Sequence, residues 1–194
     1  MFWTFVYDLN GNLEKFIDCP NYYYGVFFIG SYYDIELNKN YIITGNCGFC
    51  KSFYFEEGKL YNKYIDSNSL CMDLVVTKYI FIYNNHGKRE LIEINNIPNI
   101  KIWDFHSKEF IKKFQNKKDI LGASLWNNEY LLFGCKICDI KIFDLSKKTV
   151  INNLFNKDEK NGILDIKTIE NPLYGKCLIF LEGKKIKLSK IVET

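Results

Sequence analysis

Three observations predict an all-β fold built from repeated four-stranded antiparallel sheets. The first is composition. Of 194 residues, 47% are apolar and 17% aromatic, and Ala123 is the single alanine. β-Branched and aromatic side chains suit a pleated, half-buried surface, and this apolar load excludes a disordered chain. The second is an internal period. The stretches "FWTFVYDLNGNLEKFID" (2–18), "KSFYFEEGKLYNKYID" (51–66), "IKIWDFHSKEFIKKF" (100–114) and "IKIFDLSKKTVINNLF" (140–155) share one pattern: an alternating strand, a polar turn and a second short strand. A weaker copy, "KIKLSKIVE", covers 185–193. Aligned on Tyr7, Tyr54, Trp103, Phe143 and Ser189, the copies recur every 40–49 residues. The third is that each later copy follows two further strand-like runs, for example "ILGASLW" and "YLLFG" ahead of "IKIFDL".

Taken in order, the elements group into four-stranded units. Unit A spans 22–66, B 69–115, C 119–156 and D 162–192, and residues 2–18 supply the outer two strands of a preceding unit. In B, "LCMDLVV" and "YIFIY" read as the first two strands, and "NNHGKRELIEINNIPN" (84–99) as a long excursion before the third. Four strands recurring at this interval are the signature of β-propeller blades, small twisted sheets that bury their faces by stacking on neighbours. The expected fold is an all-β propeller of about four blades plus an N-terminal strand pair, partial or open, in a single domain over 1–194. Blade D lacks an outer strand in this reading, and Leu13 to Asp18 is the candidate to fill it.

The blades resemble those of the WD-repeat family. Trp103–Asp104 in "IKIWDF" carries the resemblance, echoed by Phe143–Asp144 in "IKIFDL" and Tyr7–Asp8 in "VYDL". Gly134 lies six residues before Ile140 and Gly45 six before Lys51, where a WD repeat has a glycine-containing turn. The family's Gly–His dipeptide and its turn aspartate are missing, so the hydrogen-bonded network that fixes regular WD blades is not expected. A WD propeller normally closes with about seven blades. The resemblance therefore implies completion by a second chain, or a fragment of a longer product. It also implies a scaffold that binds other proteins.

Charge and motifs narrow the function class. Net charge is +3, and 25 of the 26 basic residues are lysine, with Arg89 alone. Sequence reading of nucleic acid favours the arginine fork, so no nucleic-acid partner is expected. The longest apolar run, 22–33, is too short for a membrane helix, and the N-terminus lacks a secretory pattern, so a cytoplasmic chain with no membrane partner is expected. No phosphate-binding glycine loop and no G-x-S-x-G occur, which points away from an enzyme and from a cofactor. Two CxxC pairs, Cys47/Cys50 and Cys135/Cys138, offer the alternative of a metal-binding or thiol-redox protein. Their 85-residue separation and strand–turn–strand context fit neither a zinc knuckle pair nor a redox dithiol at a helix start.

The leading expectation is a non-catalytic interaction module. Its candidate contacts are the turns between second and third strands, 45–50, 84–99 and 134–139, with Asn46, Phe49, His86, Lys136 and Ile137 as binding residues. Trp103, Asp104, Phe143 and Asp144 are the structural motif.

Overall fold

The computed structural model describes residues 2–7, 10, 12–19, 26–66, 75–136, 139–155 and 162–190. Among these residues all regular structure is strand, and no helix is long and apolar enough to cross a membrane. Strands β1 (Phe2–Tyr7) and β2 (Leu13–Cys19) form a two-stranded sheet. Sheet A holds β3 (Phe28–Asp34), β4 (Lys39–Gly45), β5 (Phe49–Tyr54) and β6 (Leu60–Ile65). Sheet B holds β7 (Thr77–Asn85), β8 (Lys88–Asn95), β9 (Asn99–Asp104) and β10 (Phe110–Gln115). Sheet C holds β11 (Ile120–Trp126), β12 (Tyr130–Cys135), β13 (Asp139–Asp144) and β14 (Thr149–Phe155). Sheet D holds β15 (Ile163–Asn171), β16 (Gly175–Glu182) and β17 (Lys185–Lys190). Consecutive strands pair in every sheet. Among the described residues, the stretch expected to fill sheet D, Leu13 to Asp18, lies in β2 and pairs with β1, and sheet D has three strands.

Two sequence assignments are corrected. In sheet B, "YIFIY" lies in the first strand rather than the second, and the supposed excursion contains the whole of β8. A two-residue turn at His86–Gly87 joins them. Both residues are left-handed, with φ of 48° and 86°, as such a turn requires. "LCMDLVV" lies outside the described residues except for Val75 and Val76. The second correction is register. Tyr54 does not match Trp103; Phe53 does. The amide of Gly58 donates to the carbonyl of Tyr54 at 2.9 Å, and that of Lys108 to Asp104 at 3.0 Å. Tyr54 therefore matches Asp104. Because strand side chains alternate, the one-residue slip exchanges the two faces of the strand: Tyr54 packs against the Tyr41 core and Phe53 against Ile42 on the other face.

The repeated turn explains the WD-like dipeptides. Asp104 Oδ1 accepts from the amides of His106 and Ser107 at 3.0 and 2.7 Å. Asp144 Oδ1 accepts from the Lys147 amide at 2.8 Å and the Ser146 hydroxyl at 2.7 Å. Asp34 and Asn171 do the same at the β3–β4 and β15–β16 turns. Four residues after each cap stands a left-handed residue, Asn38, Lys108, Lys148 and Gly175, and Gly58 holds the same place after Tyr54. At Asp104 and Asp144 the residue before the aspartate points into the core. Trp103 and Phe143 are buried, with Trp103 edge-on to Phe110 at 4.9 Å and Phe143 edge-on to Phe114 at 5.5 Å.

By contacts the chain divides into two compact units. One is Met1–Ile82, Arg89–Asn95 and Lys101–Ile111; the other is Tyr83–Lys88, Asn96–Ile100 and Lys112–Thr194. The first has a core of Tyr41, Ile43, Cys50, Tyr64, Ile80, Leu91, Trp103 and Phe105. Its rings interlock: Phe105 meets Tyr41 edge-on at 5.1 Å and Tyr32 at 5.4 Å. The second has a core of Trp126, Leu132, Ile140, Ile163, Ile166 and Leu178. Burying each large apolar side chain contributes roughly 1.5–3 kcal/mol.

Each unit repeats the same two ties between sheets. A Cβ on Gly45 would lie 2.7 Å from Thr77 Cγ2, and one on Gly134 would lie 2.4 Å from Ile163 Cγ2. Thr77 and Ile163 are the first residues of the following sheets, so glycine is needed for the close approach. The third strands also carry a lysine that turns inward. Lys101 is buried and its Nζ lies 3.2 Å from Asp66 Oδ2, just past β6. Lys141 Nζ donates to Asn116 Oδ1, just past β10, at 2.5 Å.

Candidate functional site

The sequence-predicted contact residues do not form one surface. Asn46 is buried, and its backbone carbonyl accepts from the Thr77 hydroxyl at 3.0 Å. Phe49 is half-buried at the start of β5, with Lys63 Nζ 4.6 Å from its ring centre. Lys136 is exposed, and its Nζ lies 3.9 Å from Asp119 Oδ2. Ile137 lies outside the described residues. His86 is exposed, but at the opposite end of its sheet: it turns β7 into β8, whereas Asn46 and Lys136 follow second strands.

The end bearing His86 has a better-formed site, in the second unit. A cleft of about 420 Å³ is lined by Tyr83, Asn84 and His86, by Asn127, Asn128, Glu129 and Tyr130, and by Asp144 and Ser146. Three turns build it. The first is His86–Gly87. The second is closed by the Glu129 amide donating to the Trp126 carbonyl at 3.1 Å, with Asn127 and Asn128 at φ of 53° and 52°. The third is the Asp144 turn. The Leu145 amide donates to the Glu129 carbonyl at 3.0 Å and locks the last two turns together. His86, Asn127 and Asn128 all adopt positive φ around the cleft, a conformation that these residue types enter more readily than most. Burial alone would raise the Asp144 carboxyl; the Lys147 amide and the Ser146 hydroxyl outweigh it and hold the group below the usual carboxylate range. A second, shallower cleft of about 600 Å³ lies on the other side of Asn127–Glu129, reaching Leu125, Thr168 and Lys176.

No family model and no curated protein matches the sequence. Solved structures do match. The crystal structure of the computationally designed Ika4 protein superposes with a TM-score of 0.65 at 10% identity, over 91% of this chain and 97% of that one. The crystal structure of Chaetomium thermophilum Raptor superposes with a TM-score of 0.66 at 16% identity, over 87% of this chain and 16% of that one. Both are propeller-type folds. This chain has a propeller-type fold. At these identities the likeness speaks to the fold alone.

In propeller terms the cleft lies where the first and third strands of a blade turn. The dipeptides "HG" and "NN" (86–87, 127–128) are the signal that finds it: short polar pairs between strand runs, suited to positive φ. Four cysteines among the described residues lie elsewhere. Cys47, Cys50, Cys135 and Cys177 are buried and reduced. Cys50 sits in a polar pocket of blades A and B, with its Sγ 3.8 Å from Thr77 Oγ1, which also lies at hydrogen-bond distance, 2.9 Å, from Glu93 Oε1. Burial pushes the Cys50 thiol well up, and the neighbouring Glu93 adds to the shift. Burial raises Glu93 too, against the opposing charge of Lys101. Cys135 is also pushed up by burial, opposed by the amide of Asn116, whose Nδ2 lies 3.3 Å from the sulfur. Cys138 lies outside the described residues. Thr77, Glu93 and Lys101 form a buried polar network in blade B where the sequence offered no WD-type one.

Proposed function

We propose that this chain is a non-catalytic protein–protein interaction scaffold of the WD-repeat type, working in the cytoplasm. One observation carries the reading: hairpin turns fixed by side-chain caps hold large apolar residues out in solvent. On blade A, Ile35 is 77% exposed and Leu37 53%, in the turn that Asp34 caps. On blade D, Leu173 is 85% exposed and Tyr174 55%, in the turn that Asn171 caps. A capped turn loses little entropy when a partner engages it, and apolar tips of this size serve as anchors. The thiol reading has weaker support, because metal binding and redox exchange both need the thiolate that burial disfavours at Cys50 and Cys135.

The test is affinity capture from the native cell with the wild-type chain and with the Ile35→Ser/Leu173→Ser variant. The variant is expected to lose specific partners while keeping the wild-type melting temperature. Equal capture by both would refute these turns as the contact, and absence of any specific partner for the wild type would refute the scaffold.

A further inference from the structure

We propose that the cleft of Tyr83, Asn84, His86, Asn128, Glu129 and Tyr130 receives a lysine or arginine side chain of a partner protein. The inference rests on the scaffold reading and names the chemistry one of its surfaces takes. Charge is the first argument. The chain is net positive, with 26 basic residues, yet the lining of this cleft holds two carboxylates and neither lysine nor arginine. Asp144 is occupied, capping its turn and lying 3.2 Å from Lys147 Nζ. Glu129 is exposed, and among the described residues its carboxylate takes part in no hydrogen bond or ion pair. The second argument is shape and surface. About 420 Å³ lies within the range of built ligand sites. Buried Tyr83 and half-buried Tyr130 give it aromatic walls, which suit the alkyl stem of a basic side chain and attract its charged head. The third is preorganisation. The cleft is walled by tight two-residue turns, at 86–87 and at Asn127–Asn128, and the Glu129 backbone is tied to Trp126 and Leu145 at 3.1 and 3.0 Å, so its shape is set by the chain itself.

The test is an NMR titration of the ¹⁵N-labelled full chain with three probes: a capped Gly-Gly-Arg-Gly-Gly peptide, the matched peptide with a central glutamate, and methyl glucoside. The arginine peptide is expected to shift the side-chain amides of Asn84 and Asn128 and the backbone amide of Glu129, and to do so less as salt rises. Glu129→Gln should weaken that binding roughly two- to fivefold, the effect of one exposed charge pair, and the unchanged remainder of its spectrum would show that it folds. The inference is overturned if the glutamate peptide moves the same signals as strongly, if the sugar moves them instead, or if the arginine peptide leaves them still. Partner capture separates the two readings. A silent cleft in a chain that still retrieves partners through Ile35 and Leu173 removes the cleft and keeps the scaffold. Peptide binding in a chain that retrieves no partner does the reverse.

Discussion

Lys101 shows what a strand pattern leaves open at a single residue. In "IKIWDF" the alternation assigns Lys101 and Trp103 to one face. The lysine is fully buried there and reaches Asp66 at the end of the preceding blade. Two charges out of water are costly, and their mutual attraction offsets that cost only while both remain. Lys101→Met therefore removes one charge of this buried pair, and should destabilise the chain by about 3–5 kcal/mol in urea unfolding. Lys101→Met with Asp66→Leu removes both charges, and the double variant should be more stable than Lys101→Met alone. A double variant as unstable as the single one would mean that the pair does not account for the loss. Lys141 and Asn116 hold the same positions in the second unit with one charge fewer.

The hairpins carry most of what was legible in the sequence. Strand content, the four-sheet repeat, the three strands of the last sheet and the aromatic–aspartate position all follow from alternation and turn residues, which are local properties. What failed was non-local. Nothing near Tyr54 signals that Phe53 is the residue equivalent to Trp103, because both are large and aromatic; the hydrogen bonds of the turn decide it. The strand β8 was hidden because "KRELIEIN" is charged at its start, and Arg89 and Glu90 are buried only through partners distant in sequence, such as Asp34 and Glu36 at 3.4 and 2.7 Å from Arg89. Of the turns around the cleft, only the one at His86 falls within a loop that the sequence marks as a candidate contact. Glycines separate two physical roles at this scale. Gly175 has φ of 70° with nothing within 4 Å of a new Cβ, so Gly175→Ala should cost about 1–2 kcal/mol of conformational strain alone. Gly134 has no positive φ, but a Cβ there would collide with Ile163, so Gly134→Ala should cost roughly 1–3 kcal/mol through displaced packing. A Gly134→Ala variant with unchanged denaturation midpoint would show that the neighbouring sheet gives way freely.

Across the whole chain, the propeller-type fold repeats its ties rather than its sequence. Identity to the solved propeller structures is 10–16%, yet they superpose over about nine-tenths of the chain. What recurs inside this chain is a capped turn, a glycine under the next sheet and an inward third-strand lysine, and each can be met by several residue types. That tolerance explains why a chain with one full Trp–Asp dipeptide keeps the architecture while no family model matches its sequence.

The lone, buried arginine also has a use in proteolysis. A protease specific for arginine has one bond to cut in this chain, Arg89–Glu90, which lies inside β8 with both side chains buried. The native chain should resist it, because a protease needs several residues of extended, accessible backbone and must wait for β8 to open. Cleavage would yield only two products, residues 1–89 and 90–194, at a rate that reports how often β8 opens. Arg89→Lys moves that scissile bond out of the enzyme's range and supplies the uncut control. Rapid cutting of the native wild type would show that β8 opens far more readily than its burial implies.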